Sequence, residues 1–141
     1  WNQNEIINFY LMKKNINKLI IIFNILFLFY YSMQLIIFTD EFAISNFGSF
    51  NHAIAGLSEI LGIVILSLCL GLTLILFKNY KNQFPLYLTI FIFEILVSLN
   101  LWRYIITDSP GDTNLEIIKF NAIIFSIASI SCLFLLINKN N

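Results

Sequence analysis

Six residues carry the chemistry set into the long apolar stretches of this sequence: Glu59, Glu94, Asn100, Arg103, Glu116 and Lys119. Ionisable groups in such runs are expensive, and where they occur they pair, give up their charge, or serve a ligand or proton path. Glu94 stands nine residues beyond Pro85, so helical rise puts it about 13 Å from that end, near the middle of a span. Glu59 is six residues beyond Ala53, about 9 Å inside its own span by the same rise. Arg103, Glu116 and Lys119 fall in the outer turns of two further spans, and Asn100 precedes Arg103 by three residues. In a closed bundle Glu59, Arg103, Glu116 and Lys119 are expected to share one layer, with Asn100 extending it. Two chemistries fit that layer. One is an outward-open polar pocket that binds a small ligand or relays protons. The other is a set of ion pairs that fixes helix register, with Arg103 and Lys119 snorkelling to the interface. Arg103 is nine positions from Glu94, about 180° around the helix, and so is not its same-helix partner. Glu94 is therefore expected to face inward and to be neutral at ordinary pH unless another span supplies a partner.

Other reactive residues point to no catalytic constellation. The single histidine, His52, reads as an interfacial or capping residue beside the alternative of a proton shuttle, and one His excludes bis-His haem ligation within one chain. Cys69 and Cys132 each lie inside an apolar run and read as small packing residues. Ser126, Ser129 and Ser131 suit helix hydrogen bonds better than nucleophilic attack. The phosphate-cradling, zinc-protease and nucleophile-elbow motifs do not occur. No catalytic residue, metal site or cofactor is expected.

The elements that must position these groups follow from composition. Of 141 residues, 59% are hydrophobic and only 11% charged, with zero formal net charge and a mean hydropathy of +0.83. Soluble domains carry about a quarter charged residues. A water-soluble globule, a disordered chain and a nucleic-acid binder are all excluded on this ground. Four stretches reach the roughly 20 apolar residues that a spanning helix needs: Leu19 to Phe38, Ala53 to Phe77, Pro85 to Ile106, and Leu115 to Ile137. Helix is the spanning form, because open strands leave backbone groups unpaired in lipid and these runs lack barrel alternation. The linkers are Thr39 to His52, Lys78 to Phe84, and Thr107 to Asn114.

Four crossings place Lys13, Lys14, Lys18, Lys78, Lys81 and Lys139 on one side, while Asp40, Glu41, Asp108 and Asp112 occupy the other two connections. Both termini are accordingly expected in the cytoplasm. Pro85 suits a helix start, Ser109-Pro110-Gly111-Asp112 reads as a turn, and Thr113 or Asn114 is placed to cap the fourth span ahead of Glu116. Met12-Lys13-Lys14-Asn15 resembles a bacterial translation start, so residues 1–11 are either upstream of it or an interfacial stub. The apolar run of 20 that follows exceeds a signal-peptide core, which favours an uncleaved first span. Residues 1–15 thus read as an N-terminal tail and 16–138 as a single transmembrane domain.

Small and polar residues mark helix contacts in lipid. Ala55, Glu59, Gly62, Leu66, Cys69 and Thr73 form one such line. Asn17, Asn24, Tyr31 and Phe38 repeat every seven residues, with Gln34 three beyond Tyr31. Tyr87, Phe91, Glu94, Ser98 and Leu101 make a third line, and Lys119, Ala122, Ser126 and Ser129 a fourth. One line per span predicts an all-α, up-down-up-down transmembrane four-helix bundle.

Three places carry a family resemblance: Asn51-His52-Ala53-Ile54-Ala55-Gly56-Leu57 with Glu59 and Gly62 following, Trp102-Arg103, and Asp108-Ser109-Pro110-Gly111 with Glu116. Here the chain resembles the DoxX-like proteins and neighbouring families of small bacterial four-helix membrane proteins of unknown function. The resemblance implies a fold rather than an activity. The expected protein is a multi-pass component of the bacterial inner membrane, in contact with the lipid bilayer and with a membrane-protein partner or a second copy. It is read as a non-enzymatic accessory or interaction component, the alternative being a small transporter or proton- or ligand-binding protein that uses its intramembrane carboxylates.

Overall fold

A computed structural model describes residues 3–48, 51–78, 83–108 and 114–139. These form five helices, with no strand among the described residues: α1 (Gln3–Ile36), α2 (Thr39–Phe47), α3 (His52–Lys78), α4 (Phe84–Ile106) and α5 (Leu115–Lys139). Four are long and apolar enough to cross a membrane, over Leu11–Ile36, His52–Lys78, Phe84–Ile106 and Leu115–Ile137, within a few residues of the expected spans except at the first. There α1 continues unbroken from Gln3, so the described part of the expected tail is helical. Pro85 lies in the first turn of α4, and Asn114 Oδ1 accepts the Glu116 N–H at 2.9 Å as the side-chain cap of α5. The expected turn at Ser109 to Asp112, and Thr113, lie outside the described residues.

The connection from Thr39 to His52, read above as a plain linker, contains α2. Nine residues fall below any span length, which is why hydropathy does not reveal it. Thr39 Oγ1 donates to the Leu35 carbonyl at 2.7 Å, tying the start of α2 to the open end of α1. Ala43 is fully buried while Asp40 and Glu41 are exposed, so the helix seats through a small side chain. Gly48 ends it at φ 68°, with its N–H on the Ile44 carbonyl, a left-handed cap that glycine adopts without steric penalty.

The spans pack as two close pairs, α1 with α3 and α4 with α5, joined by a narrower α1–α5 seam and a slight α3–α4 contact. Along α1–α3, Cys69 Sγ reaches the Ile25 carbonyl at 3.4 Å and Gly62 lies against Ser32, Leu35 and Ile36. A Cβ at Gly62 would meet Leu35 Cβ at 2.9 Å, so glycine permits this backbone approach. Along α4–α5, Cys132 Sγ reaches the Tyr87 carbonyl at 3.4 Å and Ser98 Oγ lies 2.7 Å from Ser126 Oγ. Between the pairs, Phe27 and Phe125 meet edge to face at 5.0 Å. One core cluster runs through all four long helices, with Leu28, Leu72, Ile90 and Leu135 at its centre.

Candidate functional site

The buried face of α4 is built from Tyr87, Ile90, Glu94 and Ser98, residues three or four apart and hence on one side of the helix. Glu94 is its charge-bearing member, eleventh in a helix of 23 residues and 0% exposed. Among the described residues neither of its carboxyl oxygens finds a hydrogen-bond partner. Buried polar atoms are almost always bonded, so this one requires an account.

The hydroxyl protons of Ser98, which shares this face of α4, and of the α5 serines are committed elsewhere. Ser126 donates to the Ala122 carbonyl at 2.7 Å. A hydroxyl has one proton, so in the 2.7 Å contact between Ser98 and Ser126 it is Ser98 that donates. Trp102 Nε1 donates to the same Ser126 oxygen at 3.0 Å. Ser129 donates to the Ser126 carbonyl at 2.9 Å and Ser131 to the Ala128 carbonyl at 2.7 Å. Cys132 turns its thiol toward the Tyr87 carbonyl at 3.4 Å. None of these groups donates to the Glu94 carboxyl.

A second buried group with unmet bonding capacity lies on α1. Asn24 of α1 is fully buried and its Nδ2 donates to the Ile20 carbonyl at 2.9 Å and to Ser131 Oγ at 3.0 Å, leaving its Oδ1 without a donor. Asn24 Oδ1 accepts hydrogen bonds only, whereas a protonated carboxyl can donate one.

The other expected site residues lie differently. Glu59 and Asn100 are exposed. Ser58, next to Glu59, is the buried residue, and the buried face of α3 runs Ser58, Gly62, Ile65, Cys69, Leu72 and Ile75. It shares Gly62 and Cys69 with the expected line but is turned away from Glu59. Arg103 is exposed and stacks over the ring of adjacent Tyr104 at 4.8 Å. Glu116 and Lys119 are brought together, Nζ to Oε1 at 3.2 Å, one turn apart, with 79% and 42% of their side chains exposed. Exposed pairs of this kind contribute little to stability.

Among the described residues, four side-chain hydrogen bonds between helices are not foreseen by the sequence: Asn24 with Ser131, Ser98 with Ser126, Trp102 with Ser126, and Tyr31 with Asn121. The sequence signal for them was a polar side chain inside an apolar span, but pairing depends on which helices are neighbours. Among the described residues no three His, Cys, Asp or Glu gather as a metal site. Comparison with protein-family models, with curated proteins and with solved structures finds no match to this chain.

Proposed function

We propose that this chain is a small multi-pass protein of a bacterial inner membrane, an up-down-up-down bundle with cytoplasmic termini, and that Glu94 is its proton-binding group. The observation that carries this reading is the complete burial of Glu94 at mid-span with no hydrogen-bond partner for either oxygen among the described residues. An ionised carboxylate without donor or cation in an apolar interior is far costlier than the neutral acid, so the closed bundle holds Glu94 protonated. Release of that proton requires water or a cation to reach the carboxyl, which opening of the narrower seam between the two helix pairs would allow. Proton binding coupled to such an opening is the elementary step of a small transporter or proton relay. The DoxX-like resemblance belongs to the same proposal and bears on the fold alone.

Infrared spectroscopy of the reconstituted protein tests it. At neutral pH the protonated-carboxyl stretch assigned to Glu94 is expected, absent in Glu94→Gln. Vesicles carrying the wild type should dissipate an imposed pH gradient faster than vesicles carrying Glu94→Gln at equal helicity. A carboxylate band for Glu94 at neutral pH, or equal dissipation by the two proteins, contradicts the proposal.

A second reading is supported by the outer surface. Leu57, Ile60, Ile63, Leu70 and Phe77 on α3 are all exposed and apolar, and α3 touches α4 only slightly. Such a face suits lipid, a membrane-protein partner or a second copy, and so an accessory role. Loss of assembly without any change in proton flux on Glu94→Gln would favour it.

A further inference from the structure

We propose that the groove between α1 and α5 holds an acyl chain of an anionic glycerophospholipid whose phosphate meets Lys13. The groove measures about 430 Å³ and is lined by Ile16 and Ile20 of α1 and by Ile127, Ile130, Ser131 and Phe134 of α5. It exists because the α1–α5 seam is narrower than the two flanking pairings. The one polar residue in its wall offers little to a ligand. Ser131 gives its proton to the Ala128 carbonyl and accepts from Asn24. The surface is therefore apolar in effect, and at bilayer depth it is filled by hydrocarbon, which restores the dispersion contacts an unfilled groove forfeits.

The charge at one end selects the headgroup. Lys13, Ile16 and Ile20 are spaced by three and four residues and share one face of α1. Lys13 stands one turn, about 4.5 Å, before the first groove residue and is half-buried, whereas Lys14 and Lys18 are exposed and turned to other faces. An apolar trough that ends at a cation matches an amphiphile with a chain on one side and a negative headgroup on the other. A second helix fits less well. Branched and aromatic side chains line the wall, without the run of small residues that lets two backbones approach closely in lipid.

The experiment uses the full chain in phosphatidylcholine vesicles with trace chain-labelled phosphatidylglycerol or phosphatidylcholine, reading the motionally restricted fraction by spin resonance. Wild type should prefer phosphatidylglycerol. Lys13→Gln should lower that preference about fivefold, the equivalent of about 1 kcal/mol for one cation at the surface. Lys13→Arg should retain it, and Lys14→Gln should change it far less. Ile130→Trp, which fills the groove and leaves Lys13 in place, should abolish it. Equal losses in Lys13→Gln and Lys14→Gln would mean diffuse attraction to a basic surface and would overturn the site. Full preference in Ile130→Trp would overturn the groove, as would a second copy cross-linking through Ile130 with no restricted lipid.

Discussion

The Tyr31 hydroxyl of α1 donates to Asn121 Oδ1 of α5, and this bond joins the two close helix pairs at the level of their aromatic contacts. The Tyr31 ring lies 5.0 Å from Phe27 and 4.9 Å from Phe125, so the hydroxyl is delivered to Asn121 by an edge-packed aromatic group. The tight contacts lie within each pair, α1 with α3 and α4 with α5. The α1–α5 seam instead depends on a few directional contacts, Tyr31–Asn121 and Asn24–Ser131 among them. If the protein opens to expose Glu94, these are the bonds that must break.

Removing that hydroxyl should loosen the seam measurably. Tyr31→Phe keeps the ring packing and leaves Asn121 Oδ1 without its donor. Interhelical hydrogen bonds in membrane proteins contribute about 0.6 kcal/mol on average and up to about 1.7, and Tyr31→Phe should lose stability within that range. Reversible unfolding in mixed micelles measures it, and a double-mutant cycle with Asn121→Leu should return a coupling energy of the same size. Additive losses would show that the bond contributes nothing.

Gly62 makes a sharper test of the α1–α3 pair. Its alanine would place Cβ 2.7 Å from Ile36 Cγ1, 2.9 Å from Leu35 Cβ and 3.3 Å from the Ser32 carbonyl oxygen, and the last two cannot move without shifting backbone. Gly62→Ala should destabilise by about 1–3 kcal/mol, the usual consequence of overpacking. Gly56→Ala meets nothing within 4 Å and should be neutral or slightly stabilising, since alanine is the better helix former. Thermal unfolding of the two variants in one detergent compares them directly.

The spans were legible because twenty apolar residues in a row have one structural solution in lipid. Within them, spacing also identified the inner face of α4, where Tyr87, Glu94 and Ser98 are buried as expected. It misplaced Glu59 because the face of α3 that turns inward is chosen by where Gly62 can meet α1, and residues 58 and 59 differ by about 100° of rotation. Helix α2 escaped for a different reason. Only nine residues long, it turns Ala43 and half-buried Phe42 inward and leaves Ile44 exposed, too short an apolar face to stand out beside the spans. Which polar groups pair across helices was the least legible feature, since Asn24 and Ser131 are 107 residues apart and nothing local connects them.

Ser126 gathers two donors, the Ser98 hydroxyl and the Trp102 indole N–H, on one oxygen. Ser126→Ala removes the acceptor and orphans both, whereas Ser98→Ala removes one donor and leaves Ser126 still bonded to Trp102 and to the Ala122 carbonyl. Leaving a donor unsatisfied costs about 1–3 kcal/mol when it is buried. Ser98 is buried and Trp102 is partly exposed, so Ser126→Ala should lose about 1–2 kcal/mol and Ser98→Ala less than half of that. Tryptophan emission supplies a second readout, with a shift from Trp102 expected in Ser126→Ala and not in Ser98→Ala.

Glu94 allows a prediction with opposite signs for stability and function. A carboxyl without a hydrogen-bond partner among the described residues contributes no bond that a hydrocarbon of similar size would forfeit. Replacing it by leucine removes the burden of burying two polar oxygens and should therefore stabilise the protein, by about 1 kcal/mol or more. Glu94→Gln keeps a polar group in place and should leave stability near that of the wild type. Both variants lose the exchangeable proton and should be equally inactive in the pH-gradient assay. Retention of a destabilising carboxyl is the stability–function trade-off expected at a working site. The decisive measurement is unfolding of Glu94→Leu in mixed micelles. A loss of stability there would reveal that Glu94 holds the bundle together, and the proton-binding role would have to be abandoned in favour of a structural one.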